Sequence, residues 1–216
     1  MYKSVLFDLD GTLVNTYQGI YNSYQYALRK MKIEFSGKEL VNEAIGAPLL
    51  SVFKEKFSLC EMDALQAVEH YREYYSRKGK LEVITYEGIK ETLIKLQKQN
   101  YLLAVATLKR ESFAKEILKN LELDQYFELI YGMNEDDSLS KADLIEKCLD
   151  KLQIENSEAI LVGDSIYDQI GAKEANIDFL AVTYGFGFKT ALELKKIREA
   201  NILTVNSGYD IPSALQ

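Results

Sequence analysis

The chain has 216 residues, 47% hydrophobic and 27% charged, a balance typical of a globular protein with a substantial buried core. Its formal net charge of −7 argues against a general affinity for nucleic acid or for an anionic membrane surface. Since no apolar run reaches the length of a membrane span and the first is broken by Asp8, we expect a cytoplasmic protein, monomeric or homodimeric.

The first predicted strand, Val5–Phe7, leads into Asp8 and Asp10 and then into a turn at Gly11. In an extended chain, side chains two positions apart share a face, so the two carboxylates point the same way. Two like charges held so close require a cation between them or a proton on one of them. The motif therefore predicts metal-assisted chemistry, although an ordinary strand ending in an Asp-Gly turn is an alternative.

The hydrophobic pattern of residues 16–85 predicts several consecutive helices and no convincing strand. In the first helix Tyr17, Tyr21, Tyr24 and Leu28 recur at helical spacing and are expected to form one face, buried in the core of this insert. An all-helical insert after the first strand of an α/β sheet suggests a cap domain. We therefore divide the chain into a cap domain at 16–85 and a catalytic core formed by 1–15 and 86–216.

The core continues with four more apolar runs that predict strands: Leu102–Ala106, Leu129–Tyr131, Ile160–Val162 and Phe179–Val182. Segments of helical period lie between most of them. Strands alternating with helices indicate a Rossmann-like α/β fold, with a parallel sheet flanked by helices. Near the end, Ala191–Glu199 is predicted to be helical and Ile202–Val205 to form a late edge strand.

Polar residues follow the predicted strands where ligands bind in an open parallel sheet, beyond the carboxyl ends. Thr107 follows the second core strand, Asp164 and Asp168 follow the fourth, and Lys141 precedes an amphipathic segment. Each of them alone is equally compatible with a helix cap or a solvated side chain. Together with Asp8 and Asp10, they predict one site at a common edge.

Cysteine and histidine contribute little to this prediction. Cys60 and Cys148 lie far apart without metal-ligand spacing, so we expect two reduced, buried thiols. His70 is the only histidine, which rules out a histidine-ligated zinc cage and disfavours a histidine-based triad. Catalysis should therefore depend on carboxylates and lysine.

Four signatures now stand in order along the chain: Asp8-Leu9-Asp10-Gly11-Thr12, Thr107, Lys141, and the Gly-Asp-Ser-Ile-Tyr-Asp segment at 163–168. In these signatures the chain resembles the haloacid dehalogenase (HAD) superfamily, over its whole length and including the helical insert. Segments 86–89, 106–109 and 131–141 are similar to the phosphoglycolate phosphatase and 5′-nucleotidase-like branch, which has an α-helical (C1) cap. Asn15 and Tyr86 depart from that pattern, where many relatives have an acidic residue and a proline.

The resemblance implies a phosphatase acting on the phosphomonoester of a small metabolite, either phosphoglycolate-like or a nucleoside 5′-monophosphate. Asp8 would attack phosphorus and form an aspartyl-phosphate. Asp10 would protonate the leaving oxygen and then activate water. Thr107 and Lys141 would hold the phosphoryl oxygens, with a backbone contact from Leu108.

The same resemblance implies Mg²⁺ as the cofactor, because this ion prefers a few oxygen ligands from protein. Asp8, the backbone carbonyl of Asp10, and Asp164 would supply them. Asp168 would either complete the metal site through water or orient Lys141.

Substrate selection is expected to involve two further positions. Gly46 lies in a Gly/Pro segment of the cap that could approach the substrate closely. Lys109 is a second candidate for substrate binding, with a solvated lysine at the strand end as an equal alternative. A sugar-phosphate mutase or a pyrophosphatase would use the same core residues, and a non-catalytic phosphate-binding regulator is a more remote alternative.

Overall fold

The computed structural model describes residues 2–35, 44–45, 49–136, 138–188 and 202–215, together with Glu193, Lys195 and Ile197. The chain divides into two compact units. The helical unit is Thr16–Ile84, and the sheet unit combines Met1–Asn15 with Thr85–Gln216.

The sheet unit is built on six parallel strands in the order β5-β4-β1-β6-β7-β8. These strands are β1 (Ser4–Phe7), β4 (Leu102–Arg110), β5 (Leu129–Met133), β6 (Ala159–Gly163), β7 (Asp178–Val182) and β8 (Leu203–Val205). Two short strands, β2 (Val14–Asn15) and β3 (Ile84–Thr85), lie at the ends of the insert. The predicted fold class, a parallel α/β sheet with an inserted helical domain, is confirmed.

Among the described residues, the helices of the sheet unit precede or connect the strands, and the last one follows β8. They are α4 (Ile89–Lys98), α5 (Glu111–Asn120), α6 (Lys141–Leu152), α7 (Ile166–Glu174) and the short α8 (Ile211–Ala214). Leu144, Ile145 and Leu149 of α6 are buried against Leu6 and Leu161 of the sheet, because the strands are apolar on both faces. The late edge strand is confirmed as β8, whereas most of the predicted helix 191–199 lies outside the described residues.

The centre of the sheet sets the position of the site. β1 is fully buried, and Phe7 pairs with Val105 of β4 on one side and with Val162 of β6 on the other. The chain moves outward from β1 to β4 and β5, and then crosses to β6 and β7 on the opposite side. Such a switch in strand order opens a crevice at the carboxyl end of the central strand, where Asp8 follows Phe7.

The helical unit contains α1 (Tyr17–Lys30), α2 (Leu49–Lys56) and α3 (Glu61–Arg77). Tyr24 is fully buried, with its ring 5.3 Å from that of Phe53 and 4.8 Å from that of Tyr71. The predicted inward face of α1 is wrong in part, since Tyr17 and Tyr21 are only half-buried and stack on each other.

The buried face of α1 differs from the predicted face because of a close backbone contact. A Cβ atom at Gly19 would overlap the carbonyl group of Gly79, so the backbones meet closely along the Gly19 side of the helix. Ile20, Ser23 and Ala27 are therefore buried in place of the first two tyrosines.

Two other expectations concern the whole chain. Both cysteines are free, and Cys148 is buried as expected, but Cys60 is exposed directly before α3, which corrects the prediction for that thiol. Among the described residues, no helix is both long enough and apolar enough to cross a membrane.

Candidate active site

Asp8 continues the line of β1 into the crevice. Its backbone N–H donates to the carbonyl of Val162 at 2.9 Å, so the parallel pairing with β6 extends one residue beyond the strand. The side chain is buried, and its Oδ1 accepts a hydrogen bond from Nζ of Lys141 at 2.5 Å. A carboxylate is thus held rigidly where the central strand ends.

Lys141 is the first residue of α6 and is itself buried. Its Nζ also lies 2.6 Å from Oδ1 of Asp168, so one ammonium group bridges two carboxylates. Burial by itself would lower the pKa of Lys141, but the charges and hydrogen bonds of Asp168 and Asp8 outweigh it and raise that pKa. Lys141 therefore stays cationic throughout the physiological pH range.

Asp164 follows β6 and approaches the turn after β1. Gly11 has φ +87°, and a Cβ atom there would overlap the Asp164 carboxylate, so this close approach requires glycine. Oδ2 of Asp164 accepts two backbone hydrogen bonds, from Phe186 at 2.6 Å and from Gly187 at 3.0 Å. No donor from the described residues reaches its Oδ1.

Three carboxylates meet in the crevice. Asp8, Asp164 and Asp168 are all buried, and each offers an oxygen within 4.8 Å of the others. Burial raises the pKa of Asp8 to about 7 against the opposing effect of Lys141. Burial and the carboxylates of Asp168 and Asp8 raise the pKa of Asp164 to about 8, although its two backbone hydrogen bonds act against this rise.

Among the described residues, Lys141 is the one cation in contact with these three buried carboxylates, so the protein charges alone do not balance the cluster. A divalent metal ion would compensate the excess negative charge, and a donor set made only of oxygen suits a hard cation. The free Oδ1 of Asp164 is available for such an ion. The cluster therefore fits a divalent metal.

Asp168 has both carboxylate oxygens engaged. Oδ1 contacts Lys141, while Oδ2 accepts hydrogen bonds from the backbone N–H of Ser165 at 3.0 Å and from its hydroxyl at 2.6 Å. Ser165 and Asp168 form a capping box at the start of α7. The cap that begins this helix thus also orients the carboxylate that faces Lys141.

Asp10 and Lys109 form a second ion pair in the crevice. Nζ of Lys109 lies 2.8 Å from Oδ2 of Asp10, and the Lys109 side chain is nearly buried. Oδ1 of Asp10 is buried and has no hydrogen-bond partner among the described residues. An unpartnered, buried carboxylate oxygen is suited to receive or deliver a proton.

The remaining predicted site residues have different positions. Thr107 is buried on β4, and its hydroxyl accepts a hydrogen bond from the backbone N–H of Lys109 at 3.2 Å. The side chain of Leu108 packs against the hydrophobic core and leaves only its backbone for a ligand. Gly46 lies outside the described residues.

Sequence reasoning missed the segment Tyr184–Gly187, which follows β7 and which we call the post-β7 loop. Besides its two hydrogen bonds to Asp164, it contributes the Tyr184 hydroxyl, which donates to the carbonyl of Thr12 at 2.9 Å. The ring of Tyr184 packs 4.8 Å from that of Tyr86. The Gly-x-Gly pattern shortly after an apolar run was the available signal, since every other site loop also follows a strand.

Comparison with known proteins identifies the family of the chain. The family model for haloacid dehalogenase-like hydrolases matches residues 5–182. A 5′-nucleotidase of Pseudomonas aeruginosa is 35% identical over 192 residues, covering 88% of this chain and 87% of that protein. The pyrophosphatase PpaX of Halalkalibacterium halodurans is 32% identical over 183 residues, covering 84% of each.

A solved structure from Clostridium difficile, assigned as a phosphatase, superposes with a TM-score of 0.90 at 39% identity, covering 100% of this chain and 99% of that one. A parallel sheet with a helical insert and an acidic cluster at its carboxyl edge fits a hydrolase that acts with a divalent metal. The chain belongs to the haloacid dehalogenase-like hydrolase family. Within that family it is a phosphatase.

Proposed function

We propose that this phosphatase hydrolyses the phosphomonoester of a small metabolite with Mg²⁺ as cofactor and Asp8 as nucleophile. The observation that carries the proposal is the position of Asp8, buried at the end of the central strand between Lys141 and Asp164. Phosphoryl transfer depends mainly on positioning and on charge stabilisation, and this arrangement supplies both.

In the proposed reaction a carboxylate oxygen of Asp8 attacks phosphorus, and the bond to the ester oxygen breaks. Asp10 gives a proton to the departing alkoxide, and its unpartnered Oδ1 is suited to carry that proton. The same carboxylate then accepts a proton from the water that attacks the aspartyl-phosphate. Inorganic phosphate and free Asp8 result.

Lys141 and Thr107 would hold the phosphoryl oxygens, together with the backbone N–H of Leu108. Lys141 is suited to this because its ammonium group already lies against Asp8. Asp168 would act mainly on Lys141, since both of its carboxylate oxygens already have a donor from the protein.

Mg²⁺ would be held by Asp8, the backbone carbonyl of Asp10, and Asp164, and when bound it neutralises charge on the phosphoryl oxygens. The buried carboxylates with raised pKa values support a cation at this position. A site that offers few protein ligands, all of them oxygen atoms, favours magnesium among the abundant divalent ions.

A nucleoside 5′-monophosphate is the first substrate class to test, because a relative with 35% identity is named a 5′-nucleotidase. Phosphoglycolate and other small phosphomonoesters form the second class. Pyrophosphate is the alternative favoured by the relative named PpaX. We assign substrate selection to the insert, which we propose is a cap domain at 16–85. We further propose that the protein is cytoplasmic, is a monomer or a homodimer, and does not bind nucleic acid.

The test is release of inorganic phosphate with Mg²⁺ from nucleoside 5′-monophosphates, phosphoglycolate, sugar phosphates and pyrophosphate. Asp8→Asn should lower kcat by roughly 10⁴-fold or more with the fold intact. Asp178→Asn, at the opposite end of β7, is the matched control and should keep full activity. Borohydride added during turnover should reduce the aspartyl-phosphate to an alcohol, with release of phosphate, so that homoserine is found at position 8.

Three outcomes would contradict the proposal. Retained turnover in Asp8→Asn would exclude this nucleophile. Formation of a bisphosphate without phosphate release would indicate a mutase. Phosphate binding without turnover of any substrate would favour the regulator.

A further inference from the structure

The post-β7 loop forms hydrogen bonds to both acidic segments of the site. The Tyr184 hydroxyl holds the carbonyl of Thr12, in the turn that carries Asp10. Two residues later, the backbone N–H groups of Phe186 and Gly187 hold Oδ2 of Asp164. One short segment thus links the carboxyl ends of β1 and β6, although it belongs to neither strand.

Gly185 lies between these two attachments. A Cβ atom at this position would overlap both Oδ2 of Asp164 and the carbonyl oxygen of Gly11. Two backbone segments and a carboxylate therefore meet at a point where no side chain fits. A larger residue would displace either the loop or the Asp164 side chain.

The hydrogen bonds of the loop leave Asp164 with one available oxygen. Oδ2 already accepts two donors, whereas Oδ1 receives none from the described residues. Rotation of the carboxylate to present both oxygens to an ion would break both backbone hydrogen bonds. Asp164 is therefore built to bind a metal through a single oxygen.

Single-oxygen coordination distinguishes between divalent ions. Mg²⁺ demands an octahedron of close ligands and takes carboxylates one oxygen at a time, whereas Ca²⁺ accepts six to eight ligands and readily takes a carboxylate by both oxygens. We propose that the post-β7 loop sets the metal selectivity of the site by preventing bidentate coordination by Asp164. This inference rests on the proposed metal site.

The experiment measures Mg²⁺ and Ca²⁺ binding by titration calorimetry, without substrate, for wild type, Tyr184→Phe and Gly185→Ala. Tyr2→Phe is the matched control, because its hydroxyl donates to Asp178 at 2.6 Å, away from the site at the other end of β7. We expect the ratio of the Ca²⁺ to the Mg²⁺ dissociation constant to fall by about ten-fold in Gly185→Ala. In Tyr184→Phe it should fall by about three-fold, and in Tyr2→Phe it should not change.

An unchanged ratio in Tyr184→Phe and in folded Gly185→Ala would overturn the inference, even if both affinities weakened together. If circular dichroism shows that Gly185→Ala is unfolded, Tyr184→Phe decides alone, since it removes one hydroxyl without adding volume. Failure of the proposed function has a different signature. In that case wild type binds neither ion, or Asp164→Asn binds Mg²⁺ as tightly as wild type.

Discussion

The ammonium nitrogen of Lys141 lies 2.5 Å from Oδ1 of Asp8, a buried ion pair between residues 133 positions apart. Asp168 contacts the same nitrogen from its other side. Because the lysine is shared, it offsets the charge of two buried carboxylates at once. Its loss would leave both without a compensating cation.

Lys141→Met should therefore lower the free energy of unfolding by about 3–5 kcal/mol at neutral pH and abolish turnover. Urea denaturation and phosphate release measure the two effects. Adding Asp168→Asn to this variant should recover part of the stability and none of the activity. Full stability in Lys141→Met would mean that Lys141 does not stabilise the folded protein by compensating these carboxylates.

Variants of Lys109 can show whether this lysine binds the substrate or positions Asp10. Its Nζ contacts Asp10 at 2.8 Å, so Lys109→Met should lower kcat by about 10- to 100-fold with a much smaller change in KM. Lys109→Arg should restore part of kcat, since it keeps the charge beside Asp10. A rise in KM with kcat unchanged would instead assign Lys109 to the substrate, which is one of the two roles that the sequence left open.

The raised pKa values of Asp8 and Asp164 predict a pH-dependent stability. The folded, metal-free protein retains protons up to about pH 7 and 8 that the unfolded chain, with a carboxyl pKa of 3.8, has already released. Stability without metal should therefore fall as pH rises from about 4 to about 8. Mg²⁺ binds the ionised carboxylates, so its stabilising effect should grow over the upper part of the same range.

Thermal melting from about pH 6 to about pH 9, in chelator and in Mg²⁺, measures both trends. Asp164→Asn should melt at a higher temperature than wild type in chelator at the alkaline end, and it should lose most of the gain from Mg²⁺. A wild-type melting temperature in chelator that rises with pH relative to Asp164→Asn would contradict the assigned pKa of this carboxyl.

Ser165 has both a structural and a positioning effect. Ser165→Ala removes the cap of α7 and one hydrogen bond to Asp168, so it should cost about 1 kcal/mol of stability and lower kcat several-fold. Ser140→Ala is the matched control, because Ser140 forms the same capping box on α6 with Asp143, which is exposed. Equal kcat in the two variants would restrict Ser165 to helix capping.

Much of the site was predictable because a parallel sheet brings the ends of its strands to one edge. Asp8, Thr107 and Asp164 each follow an apolar run, so knowledge of the strands was enough to bring them together. The helical insert was predictable for a related reason, since its apolar period changes from that of a strand to that of a helix.

The partners of these residues were not predictable, because they depend on where side chains from distant loops meet. For Lys109 the sequence left substrate binding and a solvated position open, and the structure places its Nζ 2.8 Å from Oδ2 of Asp10. The contact forms where β4 continues to Arg110 with an irregular register after Thr107. The inward face of α1 was displaced by the close approach of Gly19 to Gly79, which no local period reveals.

By itself, the sequence determined the order of strands and helices and the identity of the acidic residues, because local periodicity and turn chemistry are properties of neighbouring residues. Tertiary structure decided which charges share a proton or a cation, since that depends on burial and on distances of a few ångströms. The hydrogen bonds from the post-β7 loop to Asp164 belong to this second class. Every residue except proline has a backbone N–H group, so the sequence does not show where these groups donate. In the folded protein they determine which oxygen of Asp164 remains available.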